Sequence, residues 1–225
     1  MKSYPFSIAA VFVTAICISS SAHADNLIVN GSFEDITNFI PNGDDTMVLP
    51  LGSTAMPGWT VVGQDGSTAW IGPTNPFHGL TASDGSYFLD LTAYRDAPPY
   101  GAVTQTIATT PGVFYQLSFD LGSSLFQGIP DGILATAGST SENFISTLVG
   151  TNQWQTETMI FEATDTSTVI TLTGSLASYS NIGLDNVNVH SVPGPIAGAG
   201  LPGLIFASGG LLAWWRRKRS AQSVA

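Results

Sequence analysis

Few of the side chains that commonly perform catalysis occur in the central part of this 225-residue chain. Between residues 25 and 190 there are two histidines, His78 and His190, and no lysine or cysteine. Thiol catalysis and Schiff-base chemistry are therefore excluded there, and neither histidine lies in a nucleophile-elbow sequence. A carboxylate pair for glycoside cleavage stays open, because separations in space are not encoded in the residue spacing. We expect a protein that is not an enzyme.

The distribution of charge argues against one class of partner. All sixteen acidic residues lie between Asp25 and Asp185, whereas Arg95 is the only basic residue between Asp25 and Pro195. The field of such a body repels phosphate backbones. No nucleic-acid partner is expected.

The N-terminus has the pattern of a secretion signal. Lys2 precedes an apolar run over residues 8–18, and Ala22-His23-Ala24 follows as a small-residue cleavage site. A signal anchor is the alternative, but about 20 apolar residues are needed to span a bilayer. We predict that residues 1–24 are a signal peptide. The only cysteine, Cys17, lies within it, so the mature protein has to fold without disulfides.

The C-terminus has the pattern of a membrane segment. Residues 196–215 carry no charge, and about 20 residues at 1.5 Å rise match a bilayer core. A buried core helix is the alternative. The segment is followed by four basic residues, which the positive-inside rule keeps cytoplasmic: Arg216, Arg217, Lys218 and Arg219. We predict a transmembrane helix over 196–215, a basic cytoplasmic tail over 216–225 and an outward-facing body.

This tail resembles the PEP-CTERM sorting signals of Gram-negative bacteria. The resemblance rests on a linker over residues 191–195, which contains Val192, Pro193, Gly194 and Pro195, together with the apolar span and the terminal arginines. It implies an exosortase-type membrane peptidase as partner. The body would then be anchored in the inner membrane facing the periplasm, or processed to the cell surface or extracellular matrix. Gly194 departs from the motif, which has Glu there.

Residues 25–190 have the alternation of β-strands. In the clearest example, positions 113, 115, 117, 119 and 121 are apolar, with Gln116, Ser118 and Asp120 between them. Turn-forming residues separate the runs. This pattern predicts an all-β, antiparallel jelly-roll sandwich in one domain. The other predicted strands cover residues 26–30, 59–62, 86–92, 102–108, 133–137, 144–149, 158–163, 169–173 and 182–189.

The body also resembles the galactose-binding-like jelly-roll superfamily. The similarity lies in the order of four stretches: residues 26–34, 57–59, 111–120 and 183–187. Within that superfamily it is similar to cell-wall-associated domains of uncharacterised function and, more distantly, to carbohydrate-binding modules. The resemblance implies a structural calcium held by Glu34 and Asp185. The alternative for both residues is that they are turn and edge acids bonded to backbone donors.

The resemblance further implies sugar recognition, in which aromatic faces stack on pyranose rings and polar groups bond to the hydroxyls. The candidate ligand-binding residues are Trp70, Trp154, Tyr94, Tyr100 and Arg95; plain core packing is the alternative for each aromatic residue. We expect an exported envelope or matrix protein with a non-catalytic jelly roll that binds polysaccharide. A purely structural surface protein and a glycan-cleaving enzyme are the competing classes.

Overall fold

The computed structural model describes residues 25–63, 68–75, 79–93, 98–123, 130–148, 153–176 and 182–192. Within these ranges the chain forms an antiparallel β-sandwich, so the predicted all-β class is confirmed. The strands are β1 (Thr46–Leu49), β2 (Thr60–Gly63), β3 (Thr68–Ile71), β4 (Phe88–Asp90), β5 (Gly101–Ala108), β6 (Phe114–Ser123), β7 (Gly132–Ala137), β8 (Thr140–Ile145), β9 (Gln153–Glu162), β10 (Ser167–Leu176) and β11 (Gly183–Ser191).

The strands form two sheets. The six-stranded sheet has the order β1-β3-β4-β11-β6-β9, and the five-stranded sheet has the order β2-β5-β10-β7-β8. The two longest neighbours, β6 and β9, pair over ten residues from Phe114↔Glu162 to Ser123↔Gln153. The strand β11 lies beside β6 and brings the end of the body into the centre of its sheet.

The sequence alternation decides which side of each strand is buried. In β6, Leu117, Phe119 and Leu121 are fully buried between the sheets, and Gln116 and Ser118 face outward. A second, smaller apolar cluster lies on the outer side of the six-stranded sheet. It consists of Ala69, Ile71, Leu80, Phe88 and Ala93, with Ala82 and Trp154 against it.

The predicted first strand, residues 26–30, is wrong as a strand, because this segment lies between the two sheets. On one side, Leu27 N donates to Val189 O on β11 at 2.8 Å. On the other side, the side chain of Gln105 on β5 pairs with both backbone groups of Val29, at 2.7 and 3.0 Å. A side-chain amide therefore takes the place of a neighbouring strand, and no ladder forms.

Two strands lacked the expected signal. All four residues of β3 and all three of β4 are buried, and a strand covered on both faces shows no alternation. β3 was therefore not predicted, whereas β4 lies within the predicted run over 86–92. β1 was also not predicted, because its four residues are too few to show the alternation. β8 begins four residues before the predicted 144–149 run, because its first four residues, 140–143, are all polar and show no alternation.

The predicted terminal segments lie outside the described residues, and the signal peptide, the transmembrane helix, Pro193–Pro195 and the basic tail stay predictions. Among the residues that the structure describes, no helix is long and apolar enough to cross a membrane. Val192 is described, and its N–H donates to Phe114 O at 2.8 Å.

Candidate ligand-binding face

The structure corrects two of the predicted ligand-binding residues. Trp70 is fully buried and its Nε1 donates to Phe33 O at 3.1 Å. Tyr100 is 5% exposed and belongs to the main core. Neither ring presents a face to a ligand, so both have the alternative role of core packing. Tyr94 and Arg95 lie outside the described residues.

Trp154, at the start of β9, is half-buried on the outer side of the six-stranded sheet. Its Nε1 donates to Thr81 O at 2.7 Å, and its ring meets Phe88 edge-on with centroids 5.5 Å apart. Two glycines, Gly122 and Gly183, make room beneath it: a Cβ built on them would lie 2.8 and 2.9 Å from ring carbons. The strand register places both glycines beside Trp154. The indole is thus fixed in place.

Polar side chains continue from Trp154 along the outer side of β11, β6 and β9. We call this surface the outer polar face. The register sets them in rows across the three strands. In order from Trp154 the rows are Asp185, Asp120 and Thr156, then Asn188, Ser118 and Thr158, then His190, Gln116 and Ile160. Six residues separate Trp154 from Ile160, which is about 20 Å along a strand.

Several groups on the outer polar face have free hydrogen-bonding capacity. The side chains of Gln116, Ser118, Thr158 and His190 make no hydrogen bond with another described residue. Three of them are half-buried and Thr158 is exposed. An amide, two hydroxyls and an imidazole can bond to the hydroxyl groups of a ligand lying on the sheet. Chemically, the face fits an extended, uncharged, hydroxyl-rich molecule.

A small cavity adjoins the Trp154 end of this face. Its volume is about 150 Å³, and its lining includes Gly72, Leu80, Thr81, Ser86 and Phe88. Thr81 and Phe88 are also the residues that hold Trp154. The cavity and the indole therefore share one wall.

The predicted pair Glu34 and Asp185 holds one loop, residues 83–87, from two sides. Glu34 Oε1 accepts from the backbone N–H groups of Ser86 and Tyr87, both at 2.6 Å. Asp185 Oδ2 accepts from the N–H groups of Ser83 and Asp84 at 2.8 and 3.0 Å. Gly85, between these donors, approaches so closely that a Cβ there would lie 2.4 Å from the Glu34 carboxyl carbon.

This arrangement fits an acceptor role for both carboxylates. N–H donors present the positive end of their dipoles to the two carboxylates, whereas calcium needs oxygen ligands converging on one point. Within the described ranges, no group of three His, Cys, Asp or Glu side chains could hold a metal ion. Calcium stays a prediction of the resemblance, and no step of the function below depends on it.

Two buried acids on the outer side of the sheet have raised pKa values. Burial raises the pKa of Asp185 to about 7, against the opposing effect of bonds from Asp84, Asn186 and Ser83. Burial likewise raises the pKa of Asp90 to about 7. All three bonds that Asp90 accepts reach Oδ1, from the N–H and hydroxyl of Thr92 and the N–H of Ile182. Its Oδ2 accepts no hydrogen bond from another described residue.

The ligand-binding residues predicted from the sequence were aromatic residues and an arginine, and they did not include the polar residues of this face. Their signal was present, because Gln116, Ser118 and Asp120 occupy the outward positions of the clearest predicted strand. Asp120 connects to its neighbours through Thr156 Oγ1 at 2.6 Å and Ser83 Oγ at 2.8 Å. What the sequence did not supply was the neighbouring strand, since β11 reaches β6 across more than sixty residues.

Solved structures with a similar architecture include carbohydrate-binding modules. TmCBM61 in complex with beta-1,4-galactotriose matches with a TM-score of 0.49 and 16% identity, over 75% of this chain and 100% of that chain. A family 35 module from Clostridium thermocellum matches with a TM-score of 0.42 and 15% identity, over 65% and 98% of the two chains. CBM35 from Cellvibrio japonicus Abf62 gives 0.39 and 17%, over 52% and 79%. At these identities the likeness is one of fold.

Similarity at the level of sequence is found with one family. No curated protein sequence is significantly similar to the chain. The family described as "Protein of unknown function (DUF642)" matches residues 26–186. The match begins at the segment between the two sheets and ends within β11, so it includes nearly the whole sandwich. The chain belongs to the DUF642 family.

Proposed function

We propose that this is an exported envelope or matrix protein whose sandwich binds polysaccharide on the outer polar face. The observation that carries the proposal is the position of Trp154. Of the predicted aromatic residues that the structure describes, Trp154 alone is not buried in the main core, and it stands at the end of the rows of polar side chains.

The chemistry of the face suits a sugar chain. The apolar side of a pyranose ring stacks on an aromatic face, while its hydroxyl groups need donors and acceptors within reach. Trp154 supplies the aromatic face, and Gln116, Ser118 and Thr158 supply the donors and acceptors. The face is built on paired strands, which fix its groups before a ligand arrives. No reaction is required of any of these residues.

Trp154→Ala is expected to weaken retention on polysaccharide about 30-fold, because truncating a central aromatic anchor typically costs about 2 kcal/mol or more. The measurement is affinity electrophoresis of the protein through gels that contain envelope or exopolysaccharide fractions. The substitution also removes packing against Phe88, so the melting temperature of each variant is measured in parallel.

The matched control is Phe39→Ala. Phe39 packs edge-on against Trp70 with centroids 5.0 Å apart, and it contributes aromatic packing away from the outer polar face. It is expected to lower stability and to leave retention unchanged at a temperature where both variants are folded. Equal retention of wild type and Trp154→Ala would contradict binding at the outer polar face. No retention of wild type on any fraction would favour the purely structural alternative.

We also propose export and sorting by the two terminal segments. The proposal is supported by the sequence patterns at residues 1–24 and 192–219. Intact mass and fractionation of the native protein test it. Loss of residues 1–24 and recovery from the membrane, cell surface or matrix are expected; a full-length protein recovered from the cytosol contradicts it.

A further inference from the structure

The two sheets end in four edge strands, and these differ sharply in length. Among the described residues, β1 and β2 are edges of four residues each and β8 is an edge of six. β9 is an edge of ten residues. Short edge strands are one way in which proteins avoid pairing with other chains. β9 lacks this protection.

β9 also lacks most other features that blunt an edge. It contains no Lys and no Pro, and its ten pairs with β6 run without a register shift. Among the described residues, no backbone–backbone hydrogen bond reaches the side of β9 away from β6. The N–H of Thr147 donates to the side-chain Oε1 of Gln155 at 2.9 Å and leaves the β9 backbone unpaired. Its one inward-facing charge, Glu157, accepts from Gln155 Nε2 at 2.6 Å. That acid is turned toward the sandwich interior and does not extend beyond the edge.

We propose that β9 pairs antiparallel with β9 of a second copy of this chain, so that two six-stranded sheets become one. An antiparallel edge is complementary to itself, because a two-fold axis perpendicular to the sheet sets each donor against an acceptor. The second copy supplies a strand of the same length and pattern. Pairing of about nine residues gives about nine hydrogen bonds, close to the number in a typical interface.

The residue order of β9 selects the register. Residues directly opposite each other in neighbouring strands have their side chains on the same side of the sheet. When a strand pairs with its own copy, the two-fold axis therefore passes between the two copies of one residue. An axis at Glu157 would set two carboxylates against each other, which is destabilising. An axis at Thr158 sets Thr156 against Ile160 and Trp154 against Glu162, so that no acid faces an acid. It also keeps the outer polar faces of both copies on one side.

Disulfide crosslinking tests this register. On the axis, the two Cα atoms lie about 4.5–5.5 Å apart, within the range that a disulfide spans. The full chain in detergent, carrying Cys17→Ala, is combined with Thr158→Cys and oxidised with diamide. A covalent dimer is expected on a non-reducing gel, and it disappears on reduction.

Two further variants serve as controls. Thr156→Cys places the thiols about 13 Å apart in the proposed register, at four residues of separation. Thr106→Cys lies on the exposed outer side of β5, in the other sheet. Both are expected to run as monomers on the non-reducing gel, because their thiols are too far apart to crosslink. Absence of a covalent dimer with Thr158→Cys, or equal dimer yields from all three variants, would overturn the proposal. Sugar retention is measured on the chain without these substitutions, because Thr158 belongs to the outer polar face, so the two proposals fail independently.

Discussion

At pH 5, Asp185→Asn is expected to lower the free energy of unfolding by about 1–3 kcal/mol. Both carboxylate oxygens accept backbone bonds: Oδ2 from Ser83 and Asp84, and Oδ1 from Asn186 at 2.7 Å. An amide has only one oxygen, so at least one of these part-buried N–H groups loses its acceptor and faces another donor. Leaving a buried donor without a partner costs about 1–3 kcal/mol.

Asp90→Asn is the matched comparison, because it makes the same chemical change at an acid whose bonds all reach one oxygen. The asparagine oxygen can keep all three. The raised pKa of Asp90, about 7, means that its contribution to stability is full below its usual pKa near 3.9 and is lost as pH rises through 7. Asparagine does not titrate in this range, so Asp90→Asn abolishes this loss of stability with rising pH.

Urea unfolding at pH 5 and pH 8 measures both effects. Relative to wild type, both variants are expected to gain about 2–3 kcal/mol on going from pH 5 to pH 8, because the pKa of each replaced acid is raised to about 7. At either pH, Asp185→Asn is expected to be less stable than Asp90→Asn. The series is repeated with EDTA. If the Asp185→Asn deficit vanished after chelation, the carboxylate would be a metal ligand, and the account of a hydrogen-bonded loop would be wrong.

Gly31→Ala is expected to destabilise the fold by about 3 kcal/mol, because overpacking a site that cannot move costs 1–3 kcal/mol and a backbone bond is lost as well. A Cβ at Gly31 would lie 2.0 Å from Val187 O. The same glycine accepts from Val187 N at 2.9 Å. The added methyl group therefore separates the N-terminal segment from β11.

Gly43→Ala is the control for this substitution. A Cβ at Gly43 meets no atom within 4 Å, and the residue does not have a positive φ. The change is expected to leave the urea midpoint within about 0.5 kcal/mol of wild type. Equal stability of Gly31→Ala and Gly43→Ala would show that the N-terminal segment is not held against β11 as described.

Local patterns in the sequence predicted well those strands that have one buried and one exposed face. All of the alternation from Val113 to Leu121 except Val113 itself lies within β6, and the runs at 102–108 and 169–173 lie within β5 and β10. These strands are buried on one face, so the period of two survives. The predicted fold class follows from them. The short strands β1 and β3 were missed, because burial on both sides or short length removes the alternation.

The candidate site was less predictable, since it depends on which strands become neighbours. Trp70 and Trp154 are equally plausible in sequence, but Trp70 faces the sandwich interior and Trp154 lies outside on two glycines. Glu34 and Asp185 both accept hydrogen bonds from the loop over residues 83–87, although they are about 150 positions apart in the sequence. Only the assembled sheets bring these groups together.

The most direct test of polysaccharide binding on the outer polar face is a titration followed by nitrogen-15 NMR. The indole Nε1–H of Trp154 and the side-chain amide of Gln116 report on that face, whereas the indoles of Trp59 and Trp70 report on the core. Adding an envelope polysaccharide fraction is expected to shift the first two signals and leave the two core indoles in place. A response confined to other parts of the protein, with Trp154 and Gln116 unmoved, would contradict the account.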